Sequence, residues 1–156
     1  MDAVDASPAQ AVTSFARLAP RLHLVHAEVT EHLTSQPASY DVLYSVVGAV
    51  DFTDPHRMLP AAATALRPGG RLVFSALAHY VGGAPAELHA LPADLPVTDP
   101  DGCPAAVLRR WVLHQQVWKR LPALAGLTAI SAAVLPALKT GTRTANTLFL
   151  QAFRPA

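Results

Sequence analysis

Two apolar runs, Tyr40–Val47 and Arg71–Leu77, leave this chain few folds to choose from. Neither alternates polar and apolar residues as a one-faced strand would, and such runs fit parallel strands buried on both faces. Between them Asp54-Pro55 opens a segment in which Met58, Leu59, Ala62, Ala63 and Leu66 recur at helical spacing, until Pro68-Gly69-Gly70 stops it. Strand, helix and strand in that order predict a right-handed parallel crossover, hence an α/β sheet.

The flanking sequence repeats the alternation. Ala3-Val4 is a short apolar run ending at Asp5, and Ser7-Pro8 then reads as a helix cap with proline at the first helical position, opening a helix to about Leu18. Arg21–His26 is a second strand, with Leu22 and Leu24 on one face and His23 and Val25 on the other. A short helix is expected around Thr30–Thr34. From Ala78 to about Ala106, glycines and prolines leave no room for a long regular element, and a loop of that length in a compact domain is usually a lid or binding loop. Order returns with a short strand in Val107–Leu113 and a helix over about Gln115–Ala125 that buries Val117, Trp118, Leu121 and Leu124. Two strands near Leu127–Leu135 and Asn146–Phe153 close the chain as an antiparallel pair, a common end to a mixed sheet.

Composition narrows the function classes. The 156 residues make one domain, 51% hydrophobic and 15% charged, which suits a packed core and not a disordered chain. A net charge of +1 gives no field to hold nucleic acid or an anionic membrane, so neither is expected as a partner. Leu121–Leu138 carries no charge, but its alanines and the breaks at Pro122, Gly126 and Pro136 read as core and not as a membrane span. One cysteine, Cys103, forms no internal disulfide, and the N-terminus lacks the basic and apolar regions of a signal peptide, so the cytoplasm is the expected compartment. The histidines are scattered, and no metal site is expected.

Taken in order, VDASPAQ, LVHAE, YDVLYSVVGAVDFTDP and LRPGGRLVFS, with the closing antiparallel pair, resemble the class I S-adenosylmethionine (SAM)-dependent methyltransferases, especially small-molecule enzymes of actinobacterial type. The resemblance implies a Rossmann-like α/β fold, mostly parallel, with strand order 3-2-1-4-5-7-6. VDASPAQ then matches the family's second strand. The family's first strand and glycine-rich cofactor loop are therefore expected to be lacking here, giving an incomplete form of the fold over residues 1–156.

The same resemblance implies SAM as cofactor and methyl transfer to a small-molecule acceptor. Asp5, with Ala6 beside it, takes the place of the acid that grips the ribose, as a carboxylate at a strand's carboxyl end accepts hydrogen bonds from hydroxyls. Glu28 and Val29 stand at the adenine side, and Ser45 and Val46 pass beside the methionine part. Asp41 opens its strand at the far end and reads as structural. His79 follows the next strand on the ligand side, where an imidazole can accept a proton from the acceptor, and Tyr80 and Trp111 are candidate substrate-wall residues. Two other readings stay open: a catalytically inactive methyltransferase-like remnant acting as a binding partner, and a nicotinamide-dependent Rossmann enzyme, since an acid after the second strand also suits that cofactor.

Overall fold

The computed structural model describes residues 2–7, 23–98, 101, 103–138 and 144–156. The expected helix from Pro8 to Leu18 lies outside the described residues. Strand β1 (Asp2–Asp5) pairs in parallel with β2 (His23–His26), and Asp2 faces His23 in register. Helix α1 (Val29–Thr34) follows, then β3 (Tyr40–Val46), the short helix α2 (Ala49–Phe52), helix α3 (Pro55–Ala65) and β4 (Leu66–Leu77). The predicted crossover is present, with β3 and β4 parallel.

The helix between them ends one residue earlier than its spacing suggests, because Leu66 leaves it in an extended conformation and begins the strand. Gly69 takes a φ of +76° inside the Pro-Gly-Gly turn, a conformation glycine adopts without a Cβ clash. Gly70 is needed for a second reason: a Cβ there would lie 2.7 Å from the Arg67 carbonyl oxygen.

The region from 78 to 106 corrects the expectation of an irregular loop. Strands β5 (Ala93–Thr98) and β6 (Pro104–Arg110) form an antiparallel hairpin with its own two-stranded sheet. Its prolines are tolerated because each strand has one edge that pairs with nothing in the sheet, where a missing N–H breaks no ladder bond. Helix α4 (Gln115–Leu124) and strands β7 (Thr128–Leu135) and β8 (Thr147–Phe153) complete the order.

The main sheet runs β3-β4-β8-β7, with β8 antiparallel to both neighbours. The family's order therefore appears as β2-β1 and β3-β4-β8-β7, and among the described residues no strand lies between β1 and β3. The whole is α/β: the main sheet is mixed, with β3–β4 as its parallel pair, and β1–β2 form a separate parallel pair.

One face of the main sheet carries the core. Leu72, Phe74 and Ala76 of β4 and Leu148, Leu150 and Ala152 of β8 pack with Met58, Leu59, Ala62 and Ala65 of α3 and Val117, Trp118 and Leu121 of α4. Phe74 meets the Trp118 ring edge-on at 5.1 Å between centroids. The other face corrects the reading of β3 as buried on both sides, because Val42, Tyr44 and Val46 point there and are exposed. Leu124, expected in the core, is exposed at the end of α4. Among the described residues no helix is long and apolar enough to cross a membrane.

Candidate active site

The carboxyl ends of β3 and β4 open at the same end of the sheet, since the two strands are parallel, and the amino end of β8 meets them there. In open α/β sheets that end is where ligands bind.

At the exit of β3, Val47 adopts a φ of +43°, a left-handed conformation that costs a β-branched residue energy and that concentrates at functional sites. Its N–H reaches the Ser75 carbonyl at 3.0 Å and the Ser75 hydroxyl at 3.1 Å, so β4 holds the strained turn in place. Ser45 Oγ is buried and finds no partner among the described residues. Gly48 lies over it: a Cβ there would come 3.3 Å from Ser45 Oγ. Val46, beside them, is 74% exposed.

The predicted residues of the first two strands stand at their carboxyl ends. Asp5 Oδ1 accepts the Ser7 N–H at 2.7 Å, and the His26 ring nitrogen lies 3.1 Å from the Ala6 carbonyl. Glu28 serves as the N-cap of α1, its two oxygens accepting from the Thr30 hydroxyl and the Glu31 N–H at 3.0 Å each. Partial burial pushes this carboxyl up, but the backbone amides of Thr30 and Glu31, the Thr30 hydroxyl and the Arg57 charge outweigh it and hold it below the usual range. Val29 opens α1 and packs against the core.

After β4, His79 is held at both nitrogens: Nδ1 is 2.9 Å from the Tyr80 carbonyl, and Nε2 accepts the Asn146 N–H at 3.0 Å. The nitrogen that would take a substrate proton is thus already used to join the exit of β4 to the entry of β8. The Tyr80 hydroxyl donates to Glu87 at 3.0 Å, and burial first, then that carboxylate, push the phenol up to about 12. Trp111 is 7% exposed and belongs to the core. A cavity of 210 Å³ lies at this end of the sheet, lined by Ala78, His79, His114, Gln115, Asn146 and Leu148 among others. No three His, Cys, Asp or Glu residues come together as a metal site among the described residues. Asp41, at the opposite end of β3, pairs with Arg67 at 2.9 Å on the surface.

Sequence reasoning missed Asp51. It is the one fully buried carboxylate among the described residues, sits in α2 just beyond the strained turn, and bonds Arg110 across 59 positions at 2.6 Å. Burial pushes its carboxyl up, and the Arg110 guanidinium only partly offsets this. An acid inside an otherwise apolar stretch, Gly48-Ala-Val-Asp-Phe52, was the available signal.

Comparison with known proteins places this geometry. Residues 2–74 match the methyltransferase-domain family. No curated protein matches the chain. Among solved structures it is similar to the Burkholderia thailandensis 1,6-didemethyltoxoflavin-N1-methyltransferase, crystallised with 1,6-didemethyltoxoflavin and S-adenosylhomocysteine, at 19% identity and a TM-score of 0.63. That match covers 99% of this chain, which spans 61% of the enzyme's length. It is similar also to an S-adenosylmethionine-dependent methyltransferase from Mesorhizobium loti (18% identity, TM-score 0.64, 98% of this chain and 80% of that one). A glycopeptide N-methyltransferase solved with S-adenosylhomocysteine gives 15% identity and a TM-score of 0.68, over 99% of this chain and 73% of that one. Residues 2–74 thus resemble a methyltransferase domain in sequence, and the described residues share the fold of these methyltransferase structures.

Proposed function

We propose that the protein transfers a methyl group from SAM to a small-molecule acceptor at the carboxyl end of the sheet. The observation that carries this reading is the exit of β3, where a strained Val47, a glycine and a buried, unpartnered serine hydroxyl meet in one turn. Strain at a strand end in an α/β crevice is the mark of a ligand site.

The residues present fit the cofactor. Ser45 offers a hydroxyl that lacks a protein partner among the described residues, and the missing Cβ of Gly48 leaves the backbone open to close approach. Asp5, with Ala6, would take the ribose hydroxyls, Glu28 and Val29 would border the adenine, and Ser45 and Val46 would hold the methionine part. When bound, SAM supplies an electrophilic methyl group on a sulfonium, and the protein's share is alignment of the acceptor with that carbon. The 210 Å³ cavity beside His79 suits a small acceptor or part of one. His79 then acts chiefly by position, fixing one rim of the cavity through Asn146, and would serve as a base only by releasing that bond. Tyr80, tied to Glu87, is the second residue proposed for that rim, and Trp111 would support it from the core.

Calorimetric titration with S-adenosylhomocysteine tests the reading. Saturable heat that SAM displaces is expected, with Asp5→Ala weakening binding at least tenfold. The absence of heat under conditions where the fold is intact would turn the reading to the alternative of an inactive, methyltransferase-like binding partner.

A further inference from the structure

The hairpin β5–β6 is an addition to the sheet and not a part of it, sharing no ladder with the other strands. A two-stranded hairpin alone is at best marginally stable in water. This one exposes Val97, Val107 and Leu108, so burial of its own side chains does little to order it. What holds it is its root. Arg110, its last residue, turns inward to Asp51 at 2.6 Å, with its guanidinium 5.0 Å above the Phe52 ring. The next N–H, that of Trp111, donates to the Asp51 carbonyl at 2.7 Å. One residue of α2 therefore grips the hairpin through both its side chain and its backbone.

The pair is buried, with side-chain exposures of 0% for Asp51 and 14% for Arg110, and it is incompletely satisfied. Asp51 Oδ1 and Arg110 Nε are both buried and have no partner among the described residues. A buried ion pair with free polar atoms is a poor source of net stability, because desolvation consumes most of the attraction. Its value lies in direction: a charge that has lost its water tolerates few positions for its partner. Asp51 also follows the strained exit of β3 by four residues, so the hairpin is tied to the turn that borders the proposed site.

We propose that Asp51 and Arg110 are positioning residues, a latch that sets the β5–β6 hairpin against the exit of β3 and so fixes the acceptor-side wall of the crevice. Its meaning for acceptor binding rests on the methyl-transfer reading, while the latch itself is measurable without cofactor. Neither residue touches the reacting atoms.

Hydrogen exchange, followed by mass spectrometry on the whole chain without ligand, tests it. In Arg110→Gln and in Asp51→Ala the amides of Ala105–Trp111 should exchange at least tenfold faster, while those of Leu72–Leu77 and Leu148–Ala152 stay at the parent rate. The double variant should open the hairpin no more than about twofold beyond either single one, as expected when two changes remove one shared interaction. Exchange at the parent rate in Arg110→Gln would overturn the latch, and so would equal acceleration in β4 and β8 or multiplied effects in the double variant. Should Asp51→Ala fail to fold, Arg110→Gln decides alone, since its side chain lies nearer the surface. Titration of the same variants with S-adenosylhomocysteine separates the two claims: affinity within twofold of the parent is expected. An absence of binding in the parent would count against methyl transfer and leave the exchange result standing.

Discussion

The two faces of the main sheet come from the same strands and nearly the same residue types, yet only one is a core. On the helix side Leu72, Phe74, Leu148 and Leu150 are sealed by α3 and α4. On the other, Val42, Val46 and Phe149 lie exposed among the described residues. Apolar residues on both faces of a strand therefore state a capacity for burial, and the elements docked against each face decide whether it is used.

The sharpest test of that difference is truncation on each side. Phe74 is 1% exposed and stacked edge-on against Trp118, so Phe74→Ala should cost about 3–5 kcal/mol, from lost transfer energy and the cavity left behind. Denaturant unfolding should register this as a lower midpoint with an unchanged slope. A cost under about 1 kcal/mol would mean that the helix layer packs loosely and the two faces differ little.

The second contrast is between buried and exposed carboxylates. Asp51 in the folded chain titrates above the ordinary carboxylate range, for reasons of burial. The folded state therefore keeps a proton that the unfolded state releases at lower pH, and its contribution to stability is present in acid and lost as pH rises through the raised value. Asp51→Asn removes this titration. Stability of the parent should thus fall relative to the variant as pH climbs from the ordinary carboxylate range upward, and parallel pH profiles would show that Asp51 is no more perturbed than a surface acid. Glu28 has the opposite sign. Its lowered value gives stability above the unfolded carboxylate range that is lost as pH falls through the folded value. Glu28→Ala should cost about 1 kcal/mol at neutral pH, the usual effect of losing a helix cap, and that cost should shrink in acid. A pH-independent loss would assign the effect to packing instead of the cap.

Much of this was legible because it is local. The paired apolar runs and the Asp54-Pro55 start specify β3 and α3 within a residue or so and the end of β4, whose start lies five residues before the expected Arg71, and the closing antiparallel pair follows the same logic. The hairpin was hidden because Pro96 and Pro104 argue against strands unless each strand is known to have a free edge. Asp51 was hidden for a different reason: its partner lies 59 positions away, and only the folded chain turns two ordinary charges into a buried pair. Glu28 shows the converse, a residue whose sequence position suggests a ligand contact and whose carboxylate also caps a helix. The turn at Ser45–Gly48 was marked by position alone; its strain and its unpartnered hydroxyl are properties of the backbone path.

The smallest effect belongs to the open face. Val42 is 46% exposed and Val46 74%, so threonine at either position keeps the β-branched shape that strands favour and adds a hydroxyl that water can solvate. Each substitution should change stability by no more than about 0.5 kcal/mol, the range of surface changes away from special features. The double variant should remain a folded species by sedimentation and show less self-association, because a contiguous apolar face is the ordinary cause of sticking between copies. A cost of about 2 kcal/mol or more for Val46→Thr would carry the opposite lesson. It would mean that this face is covered in the working protein, that its valines are core residues like Leu72 and Phe74, and that the contrast between the faces ends once the covering element is in place.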